Sequence, residues 1–148
     1  MQFQPITGED AELLTEAIAA SDRLYLKGIQ EVGAALRTAS GEIYSAIHFE
    51  TSSGFANICG EVAAICVMVA AGHRDLETVV AVWRSPAGEH FLLPPCGRCR
   101  EVISDFNPDA RIIISSTPNH WDVAAIQHPV IVRVGQLLPL KPNGLKVE

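Results

Sequence analysis

The sequence predicts an α/β domain in which helices pack on a mixed β-sheet. Three observations predict it: apolar residues at helical spacing near the N-terminus, an almost wholly apolar central segment, and β-branched segments that alternate with helical ones. After a first helix, and leaving out a short strand over 90–93, the predicted order is β-β-α-β-α-β-β, which is typical of helices layered on a sheet. With 148 residues, 48% of them hydrophobic, the chain is predicted to be one domain spanning 1–148.

The N-terminal third is predicted to form a helix followed by a hairpin. Apolar residues recur at helical spacing over 8–27, and Gly28 is expected to end that helix. Residues 32–36 and 43–49 are rich in apolar and β-branched side chains and flank a Ser-Gly turn, so they predict two paired strands.

The central helix is predicted over 58–71, where apolar residues cover almost every side, as in a buried helix. Cys66 lies in its middle and is predicted to be a buried, inert thiol. Residues His120–Gln127 fit no clear pattern, and a substrate-specific insertion is expected there. The remaining predicted elements are strands over 78–84, 90–93, 111–115 and 130–134 and a helix over 96–106.

The net charge and the N-terminal sequence indicate which partners and which compartment to expect. The net charge is −6, and a nucleic-acid backbone needs clustered Lys and Arg, so no nucleic-acid partner is expected. The first residues, MQFQPITGEDAELL, contain neither the basic nor the apolar segment of a signal peptide. No apolar run approaches the roughly 18 residues of a membrane span. A cytoplasmic protein without a membrane partner is predicted, in which cysteines are metal ligands, catalytic groups or core thiols rather than disulfides.

Two cysteines, Cys96 and Cys99, open a predicted helix in the stretch PPCGRCR. A C-x-x-C pair alone fits a redox centre, a metal site or neither. The redox hypothesis requires a thioredoxin-like βαβ unit, and none precedes the pair. Cys59 also opens a predicted helix, and Glu61 follows two residues later. Because a helix N-terminus carries partial positive charge, all three thiols are expected to favour the thiolate.

Three thiolates with one open position are a ligand set for catalytic zinc. A carboxylate two residues after the first ligand can reach an activated water without binding the metal, as general acid/base catalysis requires. A ligand-x-Glu motif followed by P-C-x-x-C is the layout of zinc deaminases. The sequence therefore predicts Zn²⁺ held by Cys59, Cys96 and Cys99, with Glu61 as the catalytic proton carrier.

The chain resembles the cytidine deaminase superfamily, on the small free-nucleoside branch that includes cytidine deaminase and blasticidin S deaminase. The resemblance implies a three-layer sandwich, with a mixed sheet of about five strands and helices on both faces. It also implies a homotetramer that hydrolytically deaminates cytidine or another cytosine-containing nucleoside, giving the uridine-type product and ammonia. The motifs that carry it are VGAAL at 32–36, GEIY at 41–44, CGE at 59–61, PCGRCR at 95–100 and LLP at 137–139.

Substrate contacts are also implied by the resemblance. Cytidine deaminases carry Asn-x-Glu ahead of the first zinc motif to hold the ribose, and His48 and Glu50 occupy those positions here. These two residues, with Gly60, are expected to bind substrate. The Arg that commonly follows the catalytic Glu is replaced by Val62, so Arg98 is expected to stabilise the thiolates instead.

Several departures leave the substrate open. The Phe-Pro that usually precedes the first strand is Gln30-Glu31 here, and Leu140-Lys141 replace the aromatic residue after LLP. A blasticidin S-type or other amino-heterocycle substrate is therefore an alternative. Two other classes also remain: a structural zinc module with His48 as a fourth ligand, which gives Glu61 no role, and a thiol redox protein, which leaves Cys59 and Glu61 unexplained.

Overall fold

The computed structural model describes residues 1–117, 126 and 128–141. The expectation for His120–Gln127 lies outside these residues, apart from Ile126 and His128 next to it. In chain order the elements are β1 (Gln4–Pro5), α1 (Gly8–Arg23), β2 (Val32–Thr38), β3 (Ile43–Ile47), α2 (Gly60–Ala70), β4 (Leu76–Arg84), β5 (His90–Leu93), α3 (Gly97–Phe106), β6 (Arg111–Ser115), β7 (Pro129–Arg133) and α4 (Val134–Leu137).

The described strands form one mixed sheet of seven strands; six follow the order β1-β7-β6-β4-β2-β3, and the seventh, β5, pairs with β4. Only β4 and β6 are parallel; the other pairs are antiparallel. The prediction of about five strands was wrong. The two-residue β1 has no strand pattern of its own and exists through its pairing with β7. The short β5 pairs with the second half of β4, whose first half pairs with β6.

Helices cover both faces of the sheet, which gives three layers. Side chains alternate across β4, so Val79 and Val80 belong to opposite faces and different cores. One core lies under α1 and includes Leu13 and Ala17. The other lies under α2 and α3 and includes Met68, Ile103 and Cys99. The site residues predicted from the sequence lie on the face of the sheet that α2 and α3 cover.

Helix α1 begins with a capping box and is anchored to the sheet. The Thr7 side chain accepts a hydrogen bond from the Asp10 backbone N–H, and the Asp10 carboxylate accepts from the Thr7 N–H at 2.8 Å. The fully buried Asp10 carboxylate also pairs with Arg111 of β6 at 2.7 Å. The helix ends before the predicted residue 27, because the chain enters a turn that contains Gly28 at φ 76°.

Helix α2 is buried on one side only. Ala64, Ile65 and Met68 pack on the sheet, whereas Val67 and Val69 are 43% and 42% exposed. The expectation of a buried Cys66 was wrong: its side of the helix faces away from the sheet, and the thiol is exposed. None of the described helices has both the length and the apolarity that crossing a membrane requires.

Candidate active site

The three predicted zinc ligands meet where α2 and α3 begin. Cys59 is the N-cap of α2 and Cys96 the N-cap of α3, and neither uses its side chain to cap its helix. Cys99 lies in the first turn of α3 and is fully buried. The Sγ atoms of Cys59 and Cys96 are 3.6 Å apart, and those of Cys96 and Cys99 are 3.5 Å apart.

This donor set fits Zn²⁺. Tetrahedral zinc with Zn–S bonds of about 2.3 Å places its sulfurs about 3.8 Å apart, close to the distances here. All three sulfurs lie within 4.8 Å of one another, and no further such group of three His, Cys, Asp or Glu side chains converges within the described residues. His48 is not part of the group, so the structural-module hypothesis lacks its proposed fourth ligand. Three protein ligands leave one position for a reactant.

Burial works against thiolate formation in the protein chain alone. It is the largest effect on the pKa of Cys59 and of Cys99, and both are raised. Burial acts in the same direction on Cys96, but hydrogen bonds from the Cys99 backbone and from neighbouring thiols leave the pKa of Cys96 lowered. The lowered thiol pKa expected at helix N-termini is therefore found for Cys96 but not for Cys59 or Cys99. A bound metal ion deprotonates a coordinating thiol outright.

Glu61 lies beside this cluster in the first turn of α2. Its side chain is almost wholly buried, with 5% of the residue exposed. Burial raises the pKa of Glu61, although hydrogen bonds from its own backbone and from Cys99, together with the charge of Arg98, act to lower it. The carboxyl group is thus withdrawn from bulk water and next to the sulfur cluster without belonging to it.

A cavity of about 140 Å³ opens onto the cluster. It brings together Glu61, two of the sulfur ligands and His48, which come from three separate parts of the chain. Glu50, predicted to bind substrate, is not among the described residues that line it. The lining residues are Val32, His48, Cys59, Gly60, Glu61, Leu93, Pro94 and Cys96.

Gly60 lines this cavity and lets α2 approach β2 closely. A Cβ atom at position 60 would lie 2.8 Å from the Val32 carbonyl oxygen and 3.1 Å from the Ala34 Cβ. The absence of a side chain therefore sets the distance between the sheet and the helix turn that carries Cys59 and Glu61.

His48, which lines the cavity, and Glu50 both follow β3. The Nδ1 atom of His48 accepts hydrogen bonds from the backbone N–H groups of Glu31 and Val32, at 3.0 and 2.9 Å. Its Nε2 atom is 3.8 Å from a Glu50 carboxylate oxygen. Glu50 is 53% exposed in its side chain, so it lies beside His48 and partly in contact with solvent. An isolated bridge between Phe49 and Ile58 holds this segment next to the start of α2.

Arg98 reaches across from α3 to the first sulfur ligand. Its Nη2 atom donates to the Cys59 Sγ at 3.3 Å and to the Asn57 carbonyl oxygen at 2.7 Å. The hydrogen bond to Cys59 is the largest cause of a raised pKa for Arg98. The guanidinium therefore lies next to one of the three thiols that Arg98 was expected to stabilise.

A hydrogen bond between Glu31 and Trp83 lies near the site and was not predicted from the sequence. The Glu31 carboxylate accepts hydrogen bonds from the Trp83 indole N–H at 3.0 Å and from the Gly28 N–H at 2.7 Å. The Trp83 bond is the largest cause of the lowered pKa of Glu31. The sequence did single out position 31 as a departure from the family pattern, but nothing local to it indicates a partner 52 residues away.

A three-cysteine zinc site with a buried glutamate beside it, on a three-layer sandwich, defines a zinc-dependent hydrolytic deaminase. The family model for the cytidine and deoxycytidylate deaminase zinc-binding region matches residues 7–116. The chain belongs to this cytidine deaminase family.

Relatives of two named activities match over most of their length. The chain is 40% identical over 114 residues to blasticidin-S deaminase of Bacillus cereus, which covers 74% of this chain and 81% of that protein. It is 29% identical over 106 residues to cytidine deaminase of Halalkalibacterium halodurans, with 70% and 77% covered. The crystal structure of cytidine deaminase from Burkholderia pseudomallei superposes with a TM-score of 0.70 at 26% identity, covering 91% of this chain and 98% of that one.

Proposed function

We propose that this enzyme hydrolytically deaminates cytidine or another cytosine-containing nucleoside, releasing ammonia and the uridine-type product. The observation that carries the proposal is a cavity that joins Glu61 and the ligands Cys59 and Cys96 to His48, whose Nε2 atom is 3.8 Å from the Glu50 carboxylate. A volume of about 140 Å³ suits one heterocyclic ring. A sugar attached to that ring would reach the rim. The cytidine deaminases among the relatives and structural neighbours support this substrate class.

Zn²⁺ held by Cys59, Cys96 and Cys99 would supply a Lewis acid that lowers the pKa of a water molecule towards about 7. Glu61 is the proton carrier: its carboxylate takes one proton from the attacking water and gives it to the ring nitrogen. It then takes the second proton from the oxygen now bonded to the ring carbon and gives it to the exocyclic amino group, which leaves as ammonia as the carbon–nitrogen bond breaks. Because Glu61 is buried beside Cys99, it holds these protons away from bulk water.

Arg98 and the two helix N-termini offset the negative charge of the ligand set. Three thiolates exceed the charge of Zn²⁺ by one, and an excess of negative charge weakens a Lewis acid. The guanidinium of Arg98 lies 3.3 Å from the Cys59 sulfur. The first turns of α2 and α3 each add roughly half a positive charge. These groups stabilise the thiolates in place of the Arg that the family resemblance leads us to expect at position 62, where Val62 stands.

The Glu61→Gln variant tests the role of Glu61 in proton transfer. The variant should keep its zinc and its fold but lose activity by roughly 10²- to 10⁴-fold, because an amide cannot transfer the proton. Glu16→Gln, on an exposed part of α1, is the matched control and should retain full activity. Zinc content by elemental analysis and ammonia release from cytidine, deoxycytidine, cytosine and blasticidin S are the measurements. Near-normal turnover by Glu61→Gln would refute the role given to Glu61.

The Glu50→Ala variant tests whether Glu50 binds the sugar of a nucleoside substrate. A carboxylate that accepts hydrogen bonds from sugar hydroxyls contributes roughly 1.5–3 kcal/mol for each bond. The variant should lose about 10- to 100-fold in kcat/KM for cytidine, while slow deamination of cytosine, which has no sugar, should be unaffected. Unchanged cytidine turnover would exclude this role for Glu50.

A second candidate substrate is blasticidin S, favoured by the 40% identity to the Bacillus cereus enzyme. The same ring chemistry applies to its cytosine. The ammonia-release panel separates the two: an enzyme that acts on blasticidin S but not on cytidine would exclude the nucleoside proposal and leave the zinc chemistry intact.

The oligomeric state is also proposed. A homotetramer is supported by the exposed apolar residues of α2, Val67 and Val69; a stable monomer in sedimentation at micromolar concentration would contradict it.

The domain count, the compartment and the class of partner are proposed as well. The pairing of β1 with β7 supports one domain over 1–148. Free cysteine thiols are typical of a reducing compartment, which supports the cytoplasm. The net charge of −6 supports a free small-molecule substrate rather than nucleic acid.

A further inference from the structure

The turn that leads into β2 is held by the side chain of its last residue, Glu31. The carboxylate accepts hydrogen bonds from the Gly28 N–H at 2.7 Å, within the turn, and from the Trp83 indole N–H at 3.0 Å, on β4. The Trp83 bond above all keeps the pKa of Glu31 below its ordinary range, so the carboxylate is ionised at neutral pH. Hydrogen bonds to an ionised acceptor are roughly twice as strong as neutral ones.

The same turn supplies backbone partners to the segment that follows β3. The Glu31 N–H donates to the His48 Nδ1 atom at 3.0 Å, beside the Val32 N–H at 2.9 Å. The Ile29 carbonyl accepts from the Glu50 N–H at 3.0 Å. Since His48 lines the active-site cavity, the position of this turn decides where one wall of the cavity lies.

Packing alone does not fix the turn. Strand β2 begins only at Val32, so the residues before it lie outside the sheet. The large apolar side chains of the turn, Leu26 and Ile29, are 50% and 43% exposed. A segment with so little buried apolar surface opens locally at low cost in free energy, so the hydrogen bonds of the Glu31 carboxylate supply what burial does not.

Trp83 is a rigid anchor for that carboxylate. It lies within β4, opposite Val32 of β2 on one side and Phe91 of β5 on the other. Its ring contacts the Phe91 ring, with the centroids 5.2 Å apart, and Phe91 is buried. Strand β5 continues to Leu93, which lines the same cavity as His48. The bond between Glu31 and Trp83 therefore connects the elements that carry two walls of the cavity.

We propose that Glu31 is a positioning residue for this enzyme: hydrogen-bonded to Trp83, its carboxylate holds the turn before β2, and the turn holds the His48 ring against the cavity. The proposal rests on the proposed deaminase function and adds to it a residue that lies outside the cavity. The zinc ligands and Glu61 belong to α2 and α3 rather than to this turn, so the effect falls on substrate binding and not on the chemical step.

Steady-state kinetics of the zinc-loaded variants test the proposal. Glu31→Ala and Trp83→Phe should each raise KM on the order of tenfold while kcat and zinc content stay close to wild type, as expected when only binding is weakened. The double variant should be no worse than Glu31→Ala, because both changes break the same bond. Glu31→Gln should recover part of the KM, since its amide oxygen can still accept one of the two bonds.

Glu42→Ala is the matched control. Glu42 is an exposed acid directly before β3, as Glu31 is directly before β2, and its removal should change neither KM nor kcat. Nuclear magnetic resonance supplies a second readout that needs no substrate. The ring signals of His48, assigned with His48→Phe, should move in Glu31→Ala and in Trp83→Phe and stay in place in Glu42→Ala.

The outcomes separate this inference from the proposed function. A lower kcat or a loss of zinc at unchanged KM would show a role in stability alone and overturn the inference, as would additive losses in the double variant or unmoved His48 signals in Glu31→Ala. Ammonia release from blasticidin S but not from cytidine would exclude the proposed substrate, and the KM for blasticidin S would then decide the inference. If neither compound were deaminated, the proposed function would fail and the resonance measurement would still decide whether Glu31 positions His48.

Discussion

Substituting Gly60 by alanine should disturb zinc binding and catalysis together. The new Cβ would lie 2.8 Å from the Val32 carbonyl oxygen, whereas ordinary contact begins near 3.4 Å. The obstacle is backbone in a central strand, which cannot rotate away. The start of α2 must therefore move by about 0.6 Å relative to β2, and this turn carries both Cys59 and Glu61.

The size of that movement sets the expected effect. Metal–ligand distances in working sites hold to within about 0.2 Å, and a misplacement of about 1 Å at a catalytic group can cost on the order of 100-fold in rate. Gly60→Ala should therefore lose roughly 10- to 100-fold in kcat/KM and bind zinc more weakly. Overpacking of this kind also costs roughly 1–3 kcal/mol of stability.

Gly97→Ala is the matched control. Gly97 occupies the same place in α3 that Gly60 occupies in α2, directly after a ligand cysteine, but a Cβ there would meet nothing within 4 Å. Zinc affinity by chelator competition, ammonia release and urea unfolding should all separate the two variants. Equal behaviour of Gly60→Ala and Gly97→Ala would refute the argument that close helix–sheet contact positions the site.

Three further outcomes are expected. Cys66→Ala should keep its zinc and, because the thiol is exposed, its stability to within about 0.5 kcal/mol, whereas Cys99→Ala should lose the metal; elemental analysis distinguishes them. Arg98→Ala should weaken zinc binding roughly 10- to 100-fold in chelator competition, as for other residues that bond to metal ligands; unchanged affinity would exclude its role. Asp10→Asn should cost roughly 3 kcal/mol in urea unfolding at pH 7, because it leaves the Arg111 charge without its buried partner. Burial raises the pKa of Asp10, but Arg111 and Thr7 outweigh it and hold that pKa below the ordinary 3.8. The stabilisation is therefore complete above about pH 4 and is lost as the pH falls further, and a difference from wild type that grew on acidification would contradict this.

The zinc ligands were predictable from sequence because their geometry is local. Cys96 and Cys99 are one helical turn apart, and a cysteine that opens a helix places its sulfur at a defined point. The distance between Cys59 and Cys96 follows from the family resemblance rather than from spacing. Glu61 was predictable for the same reason as Cys99, since two residues of separation fix its place in the first turn of α2.

What the sequence did not predict depends on tertiary contacts. The partner of Glu31 lies on β4, and the partners of the His48 ring are backbone groups that carry no residue-type signal. The exposure of Cys66 could not be derived from an all-apolar segment, because composition alone does not show which side of α2 meets the sheet. β1 has no pattern of its own and is defined by β7.

The placing of ligands on two separate helix N-caps makes the metal a cross-link. Cys59 and Cys96 are 37 residues apart in sequence, and joining them through one ion closes a loop that takes in α2, β4 and β5. A covalent closure of that length would stabilise the folded state by about 4 kcal/mol, because it lowers the conformational entropy of the unfolded chain. Loss of zinc would then release the first turns of α2 and α3 from each other, so chelation should lower the melting temperature as well as abolish activity. The resistance of the protein to heat and to proteases should therefore depend on how much zinc is available to it.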